Sequence, residues 1–284
     1  MTCASSNKSD GNNTACPGNE QPRYSSPKAY DELIKELHAF TEIGLYALLD
    51  DDARLRDRVI RNFIARGMTC LESIETLWQM QHFQDCDSLY RCLLDRLFHL
   101  HVLDRDDSFE HFDNWCFLEQ FKGANYARSH PQFKGRLDVH SFTSAEKERY
   151  KALVEAGVPR WLKPNPLAVA GDMKLEFLYH LGYAHASRHV HPMANDGEED
   201  FERITLLRTE PRFDQRSVLS NSILIQLLLT QRGLSSSSFA WRRLIDNFLH
   251  ECLNFLRIGD LAYQVTFIKI ATQGPEFNWA MKQA

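Results

Sequence analysis

The sequence predicts an all-α fold, an irregular multi-helix bundle of about nine helices. Two observations carry that prediction. Apolar residues recur every three to four positions through segment after segment, separated by Ser, Asp, Gly and Pro breaks. The first half of the chain also holds no convincing strand alternation, and no internal repeat runs through it.

The elements follow in order. Residues 1–25 are rich in Asn, Ser and Gly and poor in aliphatics, the composition of a disordered tail. Ser26-Pro27 is a helix start, with Ser as cap and Pro at the first helical position. Leu33, Leu37, Phe40 and Ile43 then mark the buried face, and Asp50-Asp51-Asp52 closes the segment. A long helix over 53–82 buries Val59, Phe63, Cys70, Ile74 and Leu77. Residues 85–88 supply a break and a cap. Beyond them Leu89, Leu93, Leu97 and Leu100 line one side of a helix over 89–102, and Arg91, Asp95 and His99 share another. Residues 104–107 form an acidic cap before a helix over 109–126. Thr143-x-x-Glu146 is a capping box, and Gly157 stops the helix it opens. Asp172 reads as the cap of one helix over 173–191, followed by an acidic loop at 195–200. A helix over 214–232, a GLSSSS loop and a helix from 239 that runs on to 256 or even 271 complete a single helical domain over 26–284.

Composition excludes several classes of function. At 284 residues, with 43% hydrophobic and 11% aromatic content, the chain can bury a substantial core. A net charge of −5 gives no global pull toward nucleic acid or anionic lipid. The longest apolar run, residues 223–229, is interrupted by Gln226 and is far too short to span a bilayer. No apolar segment of signal-peptide type opens the sequence. Seven cysteines, an odd number, include no Cys-x2-Cys pair, which argues for reduced thiols. The expectation is a soluble cytoplasmic protein with no membrane partner.

The most chemically loaded stretch is residues 173–192, MKLEFLYHLGYAHASRHVHP. Read as one helix, it stacks Tyr183, Ser187 and His191 four residues apart, with Glu176 and His180 close to that line. Leu178, Leu181 and Phe177 point the other way, and Gly182 and Ala186 form a small pair that admits a neighbouring helix. His191 at a helix end suits a cation that meets an anion, or an acid/base. His185 and His189 also have a ligand spacing. No acidic residue follows at Glu-x-x-His spacing, however, so no metal and no cofactor is assigned.

Arg91-x3-Asp95, followed later by Tyr183-x3-Ser187-x3-His191-Pro192, resembles a bacterial family of unknown function, number 5677. Its members carry Arg-x3-Glu on an early core helix and a Tyr…Ser…His pattern on a later one. The resemblance covers about residues 50–205, with Asp95 in place of the usual Glu, and implies no established activity. A looser helical likeness to the HEPN ribonucleases, which act as dimers, brings RNA and a second copy of the chain into view as partners. Arg96/His101, Arg105/His111 and Arg243/His250 match the spacing of those enzymes, in the number that chance produces. Two functional expectations follow. In the first, the chain acts on or binds RNA, in a toxin or antiphage role. His191 is then the acid/base, Arg91 and Asp95 set the charge, and Tyr183 and Ser187 orient. In the second it is a non-catalytic interaction module whose polar stripe is structural.

Overall fold

The computed structural model describes residues 24–46, 48, 54–132, 141–191, 194, 197–207, 215–238 and 242–273. Within them the fold is all-α, with eleven α-helices and a π-helical turn instead of about nine helices. The tail expected over 1–25 lies outside the described residues except at its end. There the Ser25 N–H donates to Tyr30 Oη at 3.2 Å, and the Arg216 guanidinium sits 5.8 Å from the centre of the Tyr24 ring. The acidic run at 50–52 also falls outside them.

Three helices make the centre: α2 (Leu55–Gln79), α3 (Phe83–Arg105) and α9 (Arg216–Ser236) pack on one another. The leucine line of α3 is fully buried at Leu93, Leu97 and Leu100, as its spacing predicts. α9 is buried on most of its circumference, so its pattern shows little amphipathic periodicity. Its Gln226 is fully buried in that seam, with Nε2 donating to Ile64 O at 3.4 Å and to Thr230 Oγ1 at 3.3 Å. Gly67 of α2 allows that approach. A Cβ there would stand 2.3 Å from Gln226 Oε1 and 2.7 Å from Leu229 Cδ2.

α1 (Pro27–Tyr46) begins where the Ser-Pro signal puts it, with the Ala29 N–H donating to Ser26 Oγ at 3.2 Å. It closes one side of the centre together with α10 (Arg242–Ile258) and α11 (Ala262–Gln273). The last two are not one helix, because Gly259 adopts φ +77° and breaks the chain between them. α4 (Phe109–Ser129) lies along α2 and carries α5 (Ser144–Glu155). The capping box of α5 forms as expected, the Glu146 N–H donating to Thr143 Oγ1 at 3.2 Å and the Thr143 N–H to Glu146 Oε2 at 2.7 Å. α8 (Glu198–Ile204) occupies residues expected as acidic loop, and its first turn is Glu-Glu-Asp, a favourable charge for a helix N-terminus.

Other boundaries move for a common reason. α2 ends at Gln79 and α3 starts at Phe83, so the break precedes residues 85–88. Gln81 takes φ +63°, and the His82 and Gln81 N–H groups bond back to Leu77 O and Trp78 O at 2.9 and 3.0 Å. This left-handed turn closes the helix with no glycine. The same device, with Lys174 at φ +58°, ends α6 (Pro166–Asp172). There the Leu175 N–H bonds to Ala170 O at 2.9 Å and the Lys174 N–H to Gly171 O at 3.0 Å. Residues 173–191 are therefore not one helix capped by Asp172. α9 likewise runs through the serines to Ser236 instead of ending in a GLSSSS loop.

Candidate functional site

The side of α3 turned away from α2 and α9 meets α6, the π-helical turn (Leu178–Tyr183) and α7 (Ala184–Ser187). In the π turn the Ala184 N–H reaches back five residues to Tyr179 O, where an α-helix would reach four. The extra residue shifts the inward face. Leu178 is buried, whereas Leu181 and Phe177, expected beside it, are 78% and 48% exposed. Gly182, Tyr183 and Ala186 turn inward instead. Gly182 touches α3 so closely that a Cβ would stand 2.7 Å from Tyr90 Oη. The small pair expected from Gly182 and Ala186 is the contact surface.

Against that surface α3 presents Asp87, Arg91 and Asp95, one helical turn apart. Arg91 is the hub. Its Nε donates to Ser187 Oγ at 3.0 Å and its Nη2 to Tyr183 Oη at 2.8 Å. Its Nη1 lies 3.7 Å from Asp95 Oδ2, and its guanidinium carbon is 4.8 Å from the Tyr183 ring centre. Ser187 completes the ring by donating its hydroxyl to Tyr183 O at 2.7 Å. Asp95 accepts from Lys163 Nζ at 3.0 Å, so the carboxylate is shared by two cations. The Arg91 side chain is 16% exposed and that of Asp95 21%.

The structure therefore brings Arg91, Asp95, Tyr183 and Ser187 into one network. His191 is not joined to them. It is exposed beyond α7, its backbone N–H bonds Ser187 O at 3.3 Å, and its side chain has no hydrogen bond or ion pair among the described residues. Asp172, expected as a helix cap, instead holds two residues of α3, accepting from Arg105 Nη1 at 3.0 Å and pairing with His101 Nε2 at 2.8 Å. Those two bonds, His101 first, hold its carboxyl below the ordinary value. His111, one of the chance-spaced histidines, bonds Pro159 O through Nε2 at 2.9 Å.

Two members of the site escaped sequence reasoning. Lys163 comes from a proline-broken segment with no periodicity to mark it. Asp87 had a signal, since it precedes Arg91 by four residues as Asp95 follows it by four. Beside Asp87 lie His185 Nε2 at 3.9 Å and His189 Nε2 at 3.8 Å. Burial raises the Cys86 thiol to about 12 and the Cys116 thiol to about 11, so both stay protonated and poorly nucleophilic.

Fold and site define a helical module in which a central arginine pins a π-bulged helix onto a core helix. The Family of unknown function (DUF5677) matches residues 57–203, just over half of the chain, and the chain belongs to that family. The match spans α2 to α8 and so includes both faces of the Arg91 network. No curated protein and no solved structure matches the chain.

Proposed function

We propose that the chain is a non-catalytic helical interaction module, and that Arg91, Tyr183 and Ser187 act as the bolt fixing its π-bulged helix to α3. One observation carries this reading: Arg91 is mostly buried, and its guanidinium already faces Ser187, Tyr183 and Asp95. An arginine committed in that way gives up two charge-assisted bonds before it meets an incoming phosphate.

A second reading, RNA-directed chemistry of HEPN type by a paired copy of the chain in a toxin or antiphage role, draws on a different observation. His191 and Arg188 are both exposed and, among the described residues, without side-chain partners, which suits an acid/base and a phosphate contact. Both readings put the protein in the bacterial cytoplasm, where its five described free thiols stay reduced.

One paired measurement separates the readings. Arg91→Ala should lower stability by about 1–3 kcal/mol, because it strips charge-assisted bonds from buried partners. His191→Ala should leave the melting temperature within a degree of wild type. Purified protein should leave single-stranded and structured RNA intact on a gel, with or without divalent metal. Cleavage that vanishes in His191→Ala would overturn the module reading in favour of the nuclease.

A further inference from the structure

We propose that Asp87 of α3 and His185 and His189, on and just beyond α7, form a binding site for one divalent transition-metal ion of the zinc class. The inference goes beyond the bolt reading and is independent of it, since the bolt holds whether or not an ion binds.

Asp87 is 14% exposed and accepts no hydrogen bond from any described residue. A carboxylate taken out of water without donors is costly, so a compensating cation is expected beside it. The groups that face it are two imidazoles, whose Nε2 atoms stand 3.9 and 3.8 Å from its Oδ2. Those separations are too long for hydrogen bonds. All three ligand atoms nevertheless lie within 4.8 Å of one another. A tetrahedral ion with metal–ligand distances of about 2.0–2.2 Å needs ligand atoms roughly 3.3–3.5 Å apart. The two Asp87–histidine separations need a contraction of about half an ångström, and the two imidazole nitrogens, up to 4.8 Å apart, must close by up to about 1.4 Å, a movement that rotation of the half-exposed His185 ring supplies.

The backbone supports the arrangement. His185 and His189 are one turn apart, and their rings are 5.4 Å from centre to centre. The His189 carbonyl is fixed to α3 by Ser88 Oγ, which donates to it at 3.1 Å. His189 Nδ1 is buried without a hydrogen-bond partner among the described residues, and Nε2 is the ring nitrogen turned toward Asp87. Two imidazoles and one carboxylate are the ligand types of a zinc site that keeps a fourth position open. His185 is 55% exposed, so that position is reachable from solvent and would hold water or an anionic oxygen.

The test uses the full chain, reduced and with any affinity tag removed, titrated with Co²⁺ and then Zn²⁺ near neutral pH. The expected result is one Co²⁺ per chain, with visible d–d bands and no thiolate charge-transfer band, displaced by Zn²⁺. Zn²⁺ in excess should raise the melting temperature by several degrees. His185→Ala, His189→Ala and Asp87→Asn should each weaken binding at least ~10-fold. His185→Ala is the decisive variant, because removing a half-exposed ring does not threaten the fold. The proposal is overturned if Co²⁺ does not bind, if its spectrum shows thiolate ligands, or if His185→Ala binds as tightly as wild type. Any of these outcomes would leave the trio as a histidine–carboxylate ion-pair cluster, and none would bear on the Arg91 bolt.

Discussion

α3 has two working sides, and they are built on opposite principles. Toward α2 and α9 it presents leucines that are fully buried, and the seam is held by apolar area. Toward the π-bulged helix it presents Asp87, Arg91 and Asp95, and that seam is held by hydrogen bonds to Tyr183 and Ser187. The dry side gains energy without needing exact direction. The polar side gains less, but it fixes the rotation and height of its partner, because each donor has one acceptor at one distance. A side chain that must be aimed belongs on the second kind of surface.

Leu97→Ala, in the dry seam, should cost about 2–5 kcal/mol and lower the melting temperature on the order of 5–15 °C. If Arg91→Ala proved the more damaging of the two in a thermal melt, the polar seam would be the main support and the ranking would reverse.

Gly182→Ala comes next. Its new methyl would stand 2.7 Å from Tyr90 Oη, so the π turn or the tyrosine has to move, at about 1–3 kcal/mol. Chemical shifts or proteolysis should show the disturbance confined to residues 176–191 while the α2–α3–α9 core stays intact. A global loss of cooperativity would mean that the two seams are one unit.

The smallest effect expected is electrostatic, between α1 and α2. Burial first, and then the neighbouring Asp31 carboxylate, raise Glu75 of α2 from 4.5 to about 7, with Lys35 opposing and Glu72 adding. A raised value in the folded state means that folding retains a proton the unfolded chain releases. The folded chain therefore loses stability as pH rises from about 4.5 to 7, and the loss is complete above that window. Glu75→Gln should melt roughly 2 °C higher than wild type at pH 8, a figure discounted for solvent screening, and should match it near pH 4. Equal melting temperatures at both pH values would show that the strain at Glu75 is relieved by solvent.

Much of this was legible in the residues. The Ser-Pro start, the Thr-Glu capping box and the leucine line of α3 are local signals, and each gives the element it announces. The pairing of Arg91 and Asp95 with Tyr183 and Ser187 was also legible, through two motifs in a fixed order. Boundaries were missed where the chain closes a helix with a left-handed residue other than glycine, at Gln81 and Lys174, because such a turn leaves no composition mark. Helical periodicity failed at 178–183 because it assumes 3.6 residues per turn, and it put Leu181 and Phe177 on one face with the buried Leu178. Asp87 was overlooked because its partners lie about a hundred residues away, a separation that spacing within one helix cannot show.

The π turn also bears on how relatives of this chain should be aligned. Removing one residue between Leu178 and Tyr183 would return the segment to ordinary helical winding and leave everything after it in nearly the same place, because the π turn winds less per residue to absorb the extra one. Ser187, His185 and His189 would still face α3 together, with their mutual spacing unchanged. A one-position gap there would therefore mark a relative that has lost the π turn and keeps the facing of the residues beyond it.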